Sequence, residues 1–390
     1  MIKIRLFLSI LLSFVFCLLS SQVSVRLFAR FSPDYAIFTV SSGQYLISNG
    51  SGRSITAGED EPVIIARYNE YIFIKPRNGE GLMGDSVEFK GQTGDDYFSL
   101  RVNEEGSLKR NYSGDLKCFS DMETLLLINT CDIENYIAGV VKAEGGSGKN
   151  EEYFKTQAVI ARTYTYKYLN KHIIDRYNLC DDTHCQAFNG LIEDSLIINA
   201  VRNTNGLVIT TPDSVLIISA FHSNCGGETS PSEYAWVTGQ PYLTRVEDPY
   251  CLNSRNAFWE RRLNLKEWTD FLKKNGYSGI MSNPAVFNFN QPYRVPDYVA
   301  GSFSIPLRTL RTGLNLRSSY FSVSVEGDSL HIKGRGYGHG VGLCQEGAMA
   351  MAVKGFTFVE IINFYYSGVK IIRIEDTRKN EDAKLTLANH

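Results

Sequence analysis

Glu144 ends an apolar stripe. Asp132-Ile-Glu-Asn-Tyr136 starts like a capped helix, and Ile137, Val141 and Glu144 then fall at i, i+4 and i+7 on one face. A carboxyl there either sits in water at a frayed end or is partly desolvated with a raised pKa. The second state is what a general acid requires, and spacing alone leaves both open.

A second chemical cluster is Cys180-Asp-Asp-Thr-His184-Cys185. Two thiolates and an imidazole within six residues suit a zinc ion, with His172 the nearest candidate for a fourth ligand. The rival is a Cys180–Cys185 disulfide that leaves His184 spare. A third candidate region is His222-Ser-Asn-Cys-Gly-Gly-Glu-Thr229, a polar, glycine-paired loop at the end of a strand-like run. Ser223 beside a histidine suggests a hydrolase, but the G-x-S-x-G elbow is missing.

The fourth is the run Gly334-Arg-Gly-Tyr-Gly-His-Gly-Val-Gly342, with glycine at every second position. Read as extended chain, it puts five glycines on one face and Arg335, Tyr337, His339 and Val341 on the other. That reading calls for something to approach a bare backbone. The plainer one is a sharply bent loop with a structural role. The spacing fits neither nucleotide-binding glycine motif.

These residues need elements to hold them. From Val23 to about Asn129, short alternating runs such as Tyr35–Val40 and Tyr71–Lys75, with turns at Asn49-Gly50, Asn78-Gly79 and Ser113-Gly114-Asp115, predict antiparallel β structure. After the helix leading to Glu144, the link Gly145-Gly-Ser-Gly148 reads as flexible. A second helix is expected over Glu151–Leu169, its buried stripe Phe154, Ala158, Ala161, Thr165 and Leu169. Gln157 and Arg162 lie off that stripe, as solvated or pocket-facing residues. Leu207–Thr211 and Ser214–Phe221 predict a hairpin. Helices are expected near Leu265–Lys274, Gln345–Val353 and Phe358–Tyr366, and a strand over Phe321–Val325.

The 390 residues allow two or three domains, and a net charge of −2 without a basic run argues against nucleic acid as a partner. The 22 Tyr and 22 Phe are explained by a β-rich core, with a carbohydrate groove the alternative. Lys3 and Arg5, the apolar stretch Leu6–Leu19 and the small residues Ser20 and Ser21 read as a signal peptide over 1–21, with an uncleaved anchor the lesser reading. Seven cysteines remain without Cys17. An oxidising compartment would pair them, and the odd number leaves at least one over.

In this order, the segments resemble the stage II sporulation protein D (SpoIID/LytB) family. The resemblance rests on Asp132–Val141 with Ala143-Glu144, Lys155–Tyr164, Thr183-His-Cys-Gln186, Asn205-Gly206, Phe221–Thr229, Gly334–Gln345 and Phe364–Gly368. It runs from about Thr124 to Ile374 and is weaker before that. It implies an α+β fold, with a β-rich domain over 22–123 followed by a mixed α/β catalytic region over 124–375. A subdomain or insertion is expected near 252–306, and a polar tail over 376–390.

The implied activity is lytic transglycosylase cleavage of peptidoglycan glycan strands lacking stem peptides. Glu144 matches the catalytic acid, and Gln157, Arg162, Ser223 and His339 are implied to line the sugar site. A structural zinc is implied at Cys180, His184 and Cys185, and no organic cofactor. The LytB side of the resemblance implies instead a non-catalytic modifier of a cell-wall amidase. Gly145-Gly146 replaces the Met-Pro that often follows the acid in the family. Cys225 and Cys344 occupy loop positions where serine is common; both are implied to flank one cleft and to form a disulfide. The exported chain is expected in the periplasm or cell-wall space.

Overall fold

The computed structural model describes residues 22–146, 148–236, 238–279 and 283–377. The signal segment 1–21 and the tail beyond 377 lie outside the described residues.

The period-two runs form two sheets. One is ordered Leu179–Cys180, Gln22–Arg26, Thr124–Asp132, Asp115–Asp121, Ser86–Gly91, Tyr45–Asn49, Ser54–Ala57. The other is ordered Arg110–Ser113, Tyr97–Val102, Tyr35–Ser42, Pro62–Tyr68, Tyr71–Pro76, Leu82–Gly84. Alternate residues of each face the other sheet and bury Phe38, Tyr45, Phe89 and Phe98 completely. Phe38 lies 4.6 Å from Phe89 and 4.8 Å from Phe98, centroid to centroid. These rings form the aromatic centre of the sandwich core.

The expected division at 123/124 shifts. Thr124–Asp132 is an interior strand, paired on both sides with Gln22–Arg26 and Asp115–Asp121. The change of structure comes at Asp132, whose carboxylate leaves the strand and caps the next helix by accepting the N–H groups of Glu134 and Asn135.

The helices that follow include α1 Ile133–Glu144, α2 Glu151–Lys167, α3 Ser195–Asn203, α4 Ser232–Ala235, α5 Leu265–Lys274, α6 Leu307–Gly313, α7 Gln345–Val353 and α8 Phe358–Tyr365. α2 is the central one, packed by α1, α3, α7, α8 and the strand Leu207–Thr210. A helix enclosed on most sides buries residues off its apolar stripe, so Gln157 and Arg162 are interior and not solvated. The buried threonines of α2 return their hydroxyls to the preceding turn, as Thr163 does to Val159 O at 2.6 Å.

The expected 207–221 hairpin is present only as a short contact, and both runs pair chiefly with distant strands. Leu207–Thr210 ladders with Lys370–Arg373, while Phe221–His222 pairs in parallel with Leu343–Cys344. The two halves still meet at an isolated Thr210–Leu216 bridge, where Thr211 N–H donates to Val215 O at 2.8 Å and Ile217 N–H to Ile209 O at 3.2 Å. The inserted unit has its own core, from Trp259 through Trp268, Tyr298 and Leu310 to Ile332, and therefore extends beyond 306. Its sheet is ordered Phe258–Asn264, Ser329–Arg335, Phe321–Glu326. No helix among the described residues is long and apolar enough to cross a membrane.

Candidate active site

Glu144 is the last residue of α1, and its stripe partners Ile137 and Val141 are buried. Its own side chain is half-buried. Burial pushes its pKa above the ordinary carboxylate range, opposed by the hydrogen bond from Ala187 N–H to Oε1 at 2.7 Å. Oε2 has no hydrogen bond among the described residues. The loop after it is tied down at Gly145, which donates to Val141 O at 2.8 Å and accepts the Tyr153 hydroxyl at 2.8 Å.

The N-terminus of α7 meets this helix end. The Gln345 amide donates to Glu144 O at 2.7 Å and to Gln157 Oε1 at 3.4 Å. Gln157 is buried, and its Nε2 has no hydrogen-bond partner among the described residues. Glu346 N–H donates to Ser223 O at 3.0 Å, while the Glu346 carboxylate accepts from Asn224 and Asn256 amides at 2.6 and 2.5 Å. Glu144, Gln157 and Ser223 therefore converge on one helix start.

Among the described residues, Arg162 and His339 make none of these hydrogen bonds. Arg162 is fully buried and gives its guanidinium to the Glu134 carboxylate and to the carbonyls of Leu207 and Val201. It joins α1, α2, α3 and a strand, with its hydrogen-bonding capacity turned inward. His339 lines a cavity of about 700 Å³ with Trp236, Arg308, Arg311 and Thr312. Burial, then the Arg311 charge, pushes its pKa down to about 4, so the ring is neutral and Nδ1 accepts Val341 N–H at 3.0 Å.

The glycine run does not form one bare extended face. Gly336, Gly338, Gly340 and Gly342 have φ of +77°, +115°, +82° and +70°, so the chain winds as a loop after the strand ending at Arg335. The protein itself fills the space beside these glycines. Asn224 O approaches Gly336, the His222 side chain Gly338, the Arg294 guanidinium Gly340 and Ala220 O Gly342. The bent-loop reading is the one observed, and the run fixes the 220–226 loop.

His172, Cys180, His184 and Cys185 converge so that one ligand atom of each lies within 4.8 Å of the others. Cys180 Sγ and Cys185 Sγ are each 3.7 Å from His184 Nδ1, and Cys185 Sγ is 3.5 Å from His172 Nε2. A tetrahedron with ordinary zinc–sulfur and zinc–nitrogen bonds has sulfur–nitrogen edges of about 3.6 Å, so the donor set fits. The Cys180 thiol and the nearby Lys171 hold Cys185 down to about 6, with the Cys180 hydrogen bond the larger effect, while Cys180 is pushed up in return. This turn leads directly to Ala187, the donor to Glu144.

All seven described cysteines are free, so neither Cys180–Cys185 nor Cys225–Cys344 is bonded. Cys225 and Cys344 are adjacent as expected, with Cys225 N–H donating to Cys344 Sγ at 3.3 Å. A third cysteine joins them, Cys251 Sγ at 3.4 Å from Cys225 Sγ, along with Asp248.

Gln345, Glu346, Asn256 and the Ala187 N–H were missed as site groups. Gln345 and Gln186 end two of the motifs quoted above, a usable signal. Asn256 has no local signal, because the inserted unit brings it in from beyond Cys251.

Residues 121–211 match the family model described as Stage II sporulation protein, SpoIID. An uncharacterised protein of Brachyspira hyodysenteriae is 27% identical over 333 residues, 80% of this chain and 85% of that protein. The stage II sporulation protein D of Bacillus subtilis is 28% identical over 262 residues, 63% of this chain and 75% of that protein. The Bacillus subtilis amidase enhancer is 26% identical over 288 residues, which span 60% of this chain and 40% of that protein.

Proposed function

We propose, from the match of residues 121–211 to the SpoIID family model, that the chain is a cell-envelope lytic transglycosylase. Its substrate is the glycan strand of peptidoglycan stripped of stem peptides, and Glu144 is its single acid/base. One observation carries the reading: a desolvated carboxyl with a raised pKa, at the end of a buried helix, under one backbone donor.

The protonated carboxyl gives its proton to the glycosidic oxygen as the C1–O bond breaks and positive charge develops at C1. The carboxylate left behind accepts the proton of the same sugar's C6 hydroxyl, whose oxygen closes on C1 as a 1,6-anhydro ring. Protons balance, no water is consumed, and one carboxyl serves both halves. Burial favours the acid form needed first. The Ala187 N–H stabilises the carboxylate needed second.

His172, Cys180, His184 and Cys185 would hold a structural zinc. Two thiolates and two imidazoles fill a tetrahedron and leave no position for a reacting water. The site's contribution is to fix the turn that carries Ala187. Export is read from the leader-like segment 1–21, and the envelope is where the substrate lies.

The second reading, a non-catalytic amidase modifier, is favoured by the similarity to the protein named amidase enhancer. Incubating the purified chain with denuded glycan strands separates the two. Anhydro-muramyl ends that disappear with Glu144→Gln are expected. Intact strands together with stimulated amidase activity would establish the modifier instead.

A further inference from the structure

Three segments bring their sulfurs to one buried point: the 221–228 loop with Cys225, the 248–251 turn with Asp248 and Cys251, and the start of α7 with Cys344. All four residues are buried, and one ligand atom of each lies within 4.8 Å of the rest. We propose that Cys225, Asp248, Cys251 and Cys344 form a second, closed zinc site, separate from the His172 cluster.

The donor chemistry suits that ion. Three thiolates and one carboxylate complete a tetrahedral set, and the sulfurs select zinc over magnesium or calcium. Cys225 Sγ is 3.4 Å from Cys251 Sγ and 3.2 Å from an Asp248 carboxylate oxygen. Tetrahedral sulfur–sulfur and sulfur–oxygen edges around zinc are about 3.5 to 3.8 Å, so the ligands relax outward by only a few tenths of an ångström to accept the ion.

The surroundings are built for charged ligands. Cys344 Sγ accepts the N–H groups of Cys225 at 3.3 Å and Gly347 at 3.4 Å. Asp248 accepts the Tyr365 hydroxyl at 2.9 Å and Tyr250 N–H at 2.9 Å, the outer hydrogen bonds that orient a ligating carboxylate. A Cβ on Gly347 would collide with the Asp248 carboxylate and the Tyr365 hydroxyl, so a bare position in the first turn of α7 makes room for the cluster. A disulfide would use two of the three sulfurs and leave a thiol beside a buried carboxylate. The zinc staples both loops to the start of α7, the helix whose Gln345 reaches Glu144 and Gln157.

The test is zinc content and zinc X-ray absorption on the full chain, stripped and reloaded with zinc under reducing conditions. Two zinc ions sharing five sulfurs are expected. Cys251→Ser should leave one zinc with two sulfurs, and Cys185→Ser one zinc bound by the three-sulfur cluster. A wild-type chain with zinc at two-sulfur coordination only, unchanged by Cys251→Ser, would overturn the proposal. So would peptide mapping of the protein as isolated that finds Cys225 disulfide-bonded to Cys251 or Cys344. Should Cys251→Ser fail to fold, the wild-type sulfur count decides alone.

Discussion

Glu144 is suited to acid chemistry by the point at which α1 stops. The stripe of Ile137 and Val141 draws its carboxyl out of water, and one N–H from Ala187 is its described compensation. Glu144→Gln keeps the shape and removes the proton, so strand cleavage should fall by about 10²- to 10⁴-fold, read from anhydro-muramyl product. The raised pKa also has a stability consequence. The folded state favours the neutral carboxyl, so its contribution is intact below the unfolded glutamate pKa and is lost as pH rises through the folded value. Glu144→Gln should therefore melt higher than the wild type at neutral pH, and the gap should close in acid. A melting curve that follows wild type at every pH would remove the desolvation argument. Arg162 behaves differently because its partners are internal. Arg162→Met leaves the Glu134 carboxylate unpaired and should cost about 3 kcal/mol of stability, with the turnover of the folded fraction kept. Loss of turnover at unchanged stability would return Arg162 to the sugar site.

At the scale of elements, three pieces meet: the end of α1, the middle of α2 and the start of α7. The Cys180–Ala187 turn completes them. Stripping the proposed zinc from the His172 cluster should weaken the Ala187 donor, which lowers the Glu144 pKa while it is held. Activity should then fall, with its basic limb moving to higher pH, and both should return with zinc. A chelated chain with an unmoved pH profile would separate the cluster from the acid. The glycine loop is the other positioning device. Gly342 has φ +70° and faces Ala220 O, so Gly342→Ala should cost about 1–3 kcal/mol, measured by thermal melting. Bound glycan should not reduce that penalty, since the glycine faces protein. The helices were legible where their periodic apolar stripes and caps are local: α5 runs as expected with its Asn264 cap, and Asp132 caps α1. The 207–221 hairpin misled because either half could pair with any strand, and residues 343–344 and 370–373 provide the actual partners.

At the scale of the molecule, the described residues form two cores. One runs from the β-sandwich through the helices around α2, and the other lies inside the inserted unit. Arg294 bridges them: it leaves the insertion fully buried and donates to Cys225 O and Glu228 O at 2.7 Å each. The insertion is thereby bonded to the loop that holds the thiol cluster. Arg294→Met should loosen that loop and lower the melting temperature without unfolding the insertion, read as hydrogen exchange rising first over residues 222–228. Uniform exchange across both cores would contradict the bridge. By itself the sequence determined most of the helices, the antiparallel β-rich start, a carboxyl at the end of an apolar stripe and the Cys180–Cys185 turn, because each is written within a few turns of chain. Only the tertiary structure decided that Arg162 is internal and that the glycines face protein. It also brought His172 to the Cys180 cluster, and Cys251 with Asp248 to Cys225 and Cys344. Those outcomes depend on which distant segments share a core, and local periodicity carries no record of that.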